Sequence, residues 1–334
     1  MAPTGVYARL KASLLGEKEP ELPPLNTATA IALLILYTLI YVLPFYISST
    51  TRPSPSLSRD APSVIRGRIR LVTISCLICS VTTFVTLSSI EHGIPINSLH
   101  LMGYFPVGVK ETVKTVGLTA ILFAGPLFEA GIARGAWRDW IRLRGVNEVI
   151  SGWIGWRNYV AGPLTEEILF RSASVPLLLL ARMSSTKIIF LTPVIFGLAH
   201  VHHLYEFRIT HPHTPIVAAL LRSLLQFSYT TLFGGYVTFI YMRTGSLLSV
   251  ILIHQFCNWR GLPRFWGRMS AVETVIGPDV SEGKRNDGPA KTSDDGSLGI
   301  VWDVAYYLIL VVGAVAWEKS LWSLTESASA LVMF

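Results

Sequence analysis

Charged side chains are scarce in this sequence: Asp, Glu, Lys and Arg together make up 15% of its 334 residues, against about a quarter in an ordinary soluble domain. That deficit excludes a chain that surrounds itself with ions in water. Cysteine is scarcer still, with three residues. Cys76 and Cys79 lie in an apolar run, outside the βαβ setting of a redox motif and with no second pair to hold zinc, so they read as packed thiols. The sequence also lacks His-Glu-x-x-His, any internal repeat, and any aromatic-basic module for nucleic acid.

Hydrocarbon takes the place of charge. Apolar residues are 51% of the chain and the mean hydropathy is +0.49. Runs near the roughly 20 residues that span a bilayer occur at 27–48, 71–90, 113–133, 158–181, 188–203, 216–241, 245–258 and 300–317. The sequence therefore predicts an all-α, polytopic membrane bundle of about eight transmembrane helices, organised as one domain over 1–334. The runs at 188–203 and 245–258 are short and polar at one end, which fits tilted or partly re-entrant segments around a cavity. The first run is too long for a signal-peptide core and has no small-residue cleavage site after it, so it reads as a retained anchor.

Arginine sets the expected orientation. Arg52, Arg59, Arg66, Arg68 and Arg70 gather in 49–70, and Arg134, Arg138, Arg142, Arg144 and Arg157 in 134–157, whereas 91–112 offers Lys110. Both basic loops are placed in the cytoplasm. The net charge of +7 comes largely from them, and reads as topology signal and attraction to membrane lipids. The segment 282–299, rich in Gly, Lys, Asp and Asn, is too polar to fold alone and reads as a flexible cytosolic loop.

Ionisable groups inside apolar runs are costly and mark function. Three sets occur: Glu166, Glu167 and Arg171; His200, four residues after Phe196; and His254, four before Asn258. With the orientation above, all three fall at one depth, around a cavity open to the cytoplasm. Glu167 and Arg171 are one helical turn apart and can pair. Glu166 lies about 100° around the helix from Glu167, free to face the cavity as a base. His254 and Asn258 share a face and can donate to one oxygen. A base, a water and donors for an oxyanion are what peptide hydrolysis needs. No Ser or Cys nucleophile is required, and Cys257 lies on a different face from His254 and Asn258. A rival chemistry is zinc, held by two His and a Glu with another Glu as base; the metal-free glutamate mechanism is preferred, with no cofactor. His202, His203, His211 and His213 read as a solvated loop, with a second metal site as the alternative. Arg222, near the cytoplasmic end of the sixth run, is a candidate anchor for a substrate carboxylate, with snorkelling to headgroups as the alternative. Glu129 reads as snorkelling or as a helix partner.

Taken in order, Glu-Glu-x-x-x-Arg, Phe-x-x-x-His and His-x-x-x-Asn across successive apolar runs resemble the type II CAAX prenyl endopeptidases, the Ras-converting family within the wider group of intramembrane glutamate proteases. The resemblance covers 157–258, the expected catalytic core helices. It implies an endoplasmic reticulum enzyme, facing the cytoplasm, that removes the last three residues of prenylated Cys-a-a-X proteins such as Ras-like small GTPases. By motif position it implies that Glu166 activates water with His200, that His254 and Asn258 stabilise the oxyanion, and that Glu167 and Arg171 organise the site, with Phe196 beside the substrate. The competing classes are a transporter, for which inverted halves and paired broken helices are not evident, and a membrane scaffold.

Overall fold

The computed structural model describes residues 23–91, 94–270 and 298–334; the expected loop at 282–299 falls almost wholly outside them. Sixteen α-helices are assigned among the described residues. They are α1 (Thr27–Val42), α2 (Pro44–Ile47), α3 (Pro62–Glu91), α4 (Pro95–Leu101), α5 (Val109–Leu122), α6 (Ala124–Phe128), α7 (Trp137–Ile141), α8 (Arg144–Ser151), α9 (Trp153–Trp156), α10 (Gly162–Glu167), α11 (Val175–Leu180), α12 (Ser185–Ala199), α13 (His202–Thr210), α14 (Ile216–Thr244), α15 (Leu247–Arg260) and α16 (Ile300–Thr325). Among the described residues no strand is formed, as a chain whose backbone must satisfy itself in lipid requires of anything but a closed barrel.

The chain is a multi-pass helical bundle. Among the described residues, five helical stretches are long and apolar enough to cross a membrane: Thr27–Ile47, Pro62–Ile90, Ser185–Thr210, Ile216–Thr244 and Ile300–Leu324. A sixth arises if α5 and the segment Ala124–Ala133, bent by 80° against each other, cross together. The expected count of eight is not reached, and the two remaining runs show why. The run at 158–181 is helical but interrupted by π-turns at Arg157–Ala161 and Ile168–Ala173. Pro163 and Pro176 sit just beyond them, and neither can donate to the carbonyl one turn back, a deficit such turns absorb. The run at 245–258 becomes α15, whose 14 residues rise about 21 Å, short of a hydrocarbon core of roughly 30 Å. Residues 169–178 are buried throughout. A helix sheathed by other helices need not match the bilayer.

Polar atoms knit the interrupted helix to its sheath. Tyr41 shares a hydrogen bond with Thr165 at 3.1 Å, Thr83 donates to the Ala173 carbonyl at 2.8 Å, Ser172 to the Met102 carbonyl at 2.6 Å, and Cys76 to the Thr165 carbonyl at 3.2 Å. Cys76 and Cys79 are free and buried, packed as expected. Along the spans, hydroxyls return to the carbonyl one turn back, as in Thr119 to Thr115 and Thr192 to Ile188, which satisfies those donors within their own helix. Ser246 caps α15 by accepting from the Ser249 amide at 3.1 Å. Gly245, at φ 61°, makes the left-handed turn between α14 and α15, a conformation other residues adopt at a cost.

Candidate active site

A cavity of about 1230 Å³ opens among these helices, and Glu166, His200, His254 and Asn258 all line it. The π-turns set the aim of the acidic pair. Glu167 turns inward and is fully buried, while the Glu166 side chain keeps 21% exposure on the cavity side. Arg171, itself 1% exposed, donates to Glu167 Oε1 at 3.1 Å. Its guanidinium lies 4.7 Å over the Phe196 ring, and also reaches the Gly234 carbonyl at 3.4 Å. A Cβ on Gly234 would stand 3.0 Å from Pro193 Cβ and 3.3 Å from Arg171 Nη2; the bare backbone there is what admits the arginine. The one-turn pairing expected of Glu167 and Arg171 is present.

The same Glu167 oxygen accepts from His254 Nδ1 at 2.7 Å. A carboxylate can only accept, so Nδ1 carries the proton and Nε2 points at Glu166, 3.8 Å from its Oε2. His200 arrives from the turn that ends α12. Its Nδ1 donates to the Phe196 carbonyl at 2.8 Å, which fixes the tautomer and leaves the Nε2 lone pair 4.0 Å from the same Glu166 oxygen. Both gaps exceed a direct hydrogen bond and suit one bridging water. Phe196 lines the cavity with its ring 4.7 Å from His200 and 6.5 Å from His254.

Asn258 also lines the cavity, one turn after His254, and its Nδ2 donates to the Asn158 carbonyl at 3.0 Å. Sequence reasoning missed Asn158, because a backbone acceptor leaves no mark in side-chain type. It also missed Phe233, whose ring stacks 4.7 Å from His254 and which reads in sequence as one more lipid-facing aromatic.

The expected histidine loop is corrected, the helix-partner reading of Glu129 is met, and Arg222 lies apart from the lining residues. Arg222 is not among the cavity's lining residues; its guanidinium lies 4.4 Å over the ring of Phe207 on α13. The expected histidine loop is in part a helix: α13 carries His202 and His203, and Glu206 is buried against Arg68 at 2.5 Å and His203 at 3.0 Å. Glu129 does not snorkel. It is buried and paired with Arg134 at 2.5 Å and Arg264 at 3.0 Å, the helix-partner alternative.

Among the described residues, His202, His203 and Glu206 bring ligand atoms within 4.8 Å of one another, and Glu166, His200 and His254 do not form such a group. At the former, the two arginines on Glu206 oppose a dication.

Residues 147–260 match the family described as type II CAAX prenyl endopeptidase Rce1-like. Over longer stretches, the chain is 38% identical to the probable CAAX prenyl protease 2 of Schizosaccharomyces pombe, across 70% of this chain and 81% of that one. It is 32% identical to CAAX prenyl protease 2 of Homo sapiens, across 75% and 79%, and 28% identical to that of Saccharomyces cerevisiae, across 87% and 95%. No solved structure matches the chain. With the motifs, the buried acid pair and these relatives together, the chain belongs to the type II CAAX prenyl endopeptidase family.

Proposed function

We propose that this protein is an intramembrane endopeptidase that removes the C-terminal tripeptide from prenylated CaaX proteins by glutamate-activated water. The observation that carries the reading is the placement of Glu166 Oε2 between His200 Nε2 and His254 Nε2, at 4.0 and 3.8 Å, in the cavity among the helices.

A water held between Glu166 and His200 gives a proton to the Glu166 carboxylate as its oxygen attacks the prenylcysteine carbonyl. The tetrahedral oxyanion faces His254, whose Nε2 donates when the ring has taken up a second proton from the solvent that reaches the cavity and returns it there after product release, and Asn258, whose amide has a second N–H beyond the one given to Asn158. Glu167 balances the imidazolium through Nδ1, and Arg171 holds Glu167 in place. Collapse breaks the C–N bond; the proton on Glu166 passes to the departing amine, releasing the tripeptide and restoring the carboxylate. The scheme uses no metal and no covalent enzyme intermediate, so Cys257 is not a nucleophile.

We place the enzyme in the endoplasmic reticulum membrane with the arginine-rich ends of its helices in the cytoplasm, where lipid-anchored GTPases of the Ras type meet it. The arginine distribution supports that orientation. A side-by-side hydrolysis assay tests the reading: the full chain in vesicles should trim a farnesylated CaaX peptide and leave the bare peptide uncut. Trimming should survive stringent chelation. Equal cleavage of both peptides, or loss of activity restored by zinc, contradicts it.

A further inference from the structure

The π-turn at Arg157–Ala161 does more than absorb a proline. In an uninterrupted α-helix the Asn158 carbonyl would accept from the Gly162 N–H, four residues on. Here the Gly162 N–H goes one residue further back, to the Arg157 carbonyl, and the next residue, Pro163, has no N–H to give. The Asn158 carbonyl is thereby released from the helix ladder, and it accepts from Asn258 Nδ2 on α15 at 3.0 Å. The turn is tied from its other side as well. Arg157 donates to the Asn158 side-chain oxygen at 2.9 Å and to Asp60, in the loop before α3, at 2.8 Å. The bond to Asn258 decides which end of that amide meets the turn. A carbonyl can only accept, so it is met by the nitrogen, and the flipped amide would set two oxygens against each other. Pinning the nitrogen end bars the rotamer in which Oδ1 would take its place and repel a developing oxyanion.

We infer that Pro163 is a positioning residue for oxyanion stabilisation: by holding the helix in its π register, it keeps the Asn158 carbonyl available to the Asn258 amide. The inference rests on the endopeptidase reading above, in which Asn258 is an oxyanion donor. Pro163 itself touches no reacting group and acts through Asn158 and Asn258. In Pro163→Ala the ring no longer opposes the Tyr159 carbonyl, four residues back, and position 163 gains a donor. The ladder then closes over Asn158, from Gly162 or from position 163, and Asn258 loses its anchor. The change replaces a helix breaker with the best helix former, so the helix keeps its integrity while catalysis suffers. A proline that served only the fold would show the reverse, a weakened protein with its chemistry intact.

The experiment uses the full chain in phosphatidylcholine vesicles with a farnesylated CaaX peptide, and thermal unfolding of the same proteins in detergent. Pro163→Ala should lower kcat by about five- to tenfold, the order of one hydrogen bond's net worth, with KM within about twofold and unfolding still cooperative. Pro163→Val, which keeps more of the buried volume and also supplies the N–H, should show the same loss. The acid limb of the pH–kcat profile should keep its place in both, which separates a loosened Asn258 from a displaced Glu166 three residues further along. In an Asn258→Ala background, Pro163→Ala should lower kcat by less than about twofold, because no amide remains to be positioned. An unchanged kcat, an equal loss in both backgrounds, a shifted acid limb, or failure of both Pro163 variants to fold overturns the inference, while wild-type cleavage still supports the enzyme. Failure of the wild type to cleave the peptide sinks the enzyme reading instead.

Discussion

Two buried glutamates in this protein are built alike. Glu167 lies between Arg171 and His254, and Glu206 between Arg68 and His203. Each is a carboxylate held by a guanidinium and an imidazole Nδ1, and each sits beside the same cavity. The difference is beyond the histidine. His254 turns its second nitrogen toward another carboxylate, Glu166, whereas among the described residues His203 faces the single carboxylate of Glu206. Burying an ion pair is thus architecture in both places, and the mechanism we propose puts the chemistry where a second acid faces the cavity across an oriented imidazole. A buried pair of this kind is weak evidence for stability and says little about function alone.

The contrast can be broken by mutation, beginning where the effect is greatest. Glu166→Gln should lower kcat by about 10³-fold or more, near the upper range for a lost general base, with expression and thermal midpoint unchanged because the side chain is partly exposed. Glu167→Gln should lower kcat by about 10²-fold and also cost about 3–5 kcal/mol of stability, since it strands the buried Arg171; kinetics and thermal unfolding in detergent read the two separately. Glu206→Gln should destabilise by about 1–3 kcal/mol yet keep kcat within about tenfold, which separates the architectural cluster from the chemical one. A kcat loss for Glu206→Gln as large as that for Glu167→Gln would erase the distinction. Smallest of all, Arg222→Ala should leave KM within about twofold, as expected of a residue away from the site.

Much of the catalytic half was legible before any fold was known. Glu167 and Arg171 are one turn apart, and His254 and Asn258 another, so helical periodicity alone placed each pair on a face. What periodicity missed was set by tertiary context. The π-turns around Gly162–Glu167 follow from Pro163 and Pro176, whose effect on register is not visible in a hydropathy count. The partner of His254 was hidden for a related reason: Glu167 was assigned to Arg171 by spacing, and nothing local indicates that one oxygen serves both. The contact of Arg222 with the Phe207 ring was not legible, because a cation near a helix end has several satisfactory partners and sequence order does not single out that ring. The count of spans failed where helices are sheathed by protein, since α15 need not cover the hydrocarbon thickness by itself.

The central claim is that Glu166 and His200 act together on one water, and a double-mutant cycle tests it most directly. The kcat of Glu166→Gln, His200→Gln and the combined variant should be measured on one farnesylated peptide. If the two residues serve a single water, the double variant should fall little below the worse single variant, because residues acting as a unit are strongly non-additive. Losses that multiply in full would show two independent contributions and contradict the shared-water geometry.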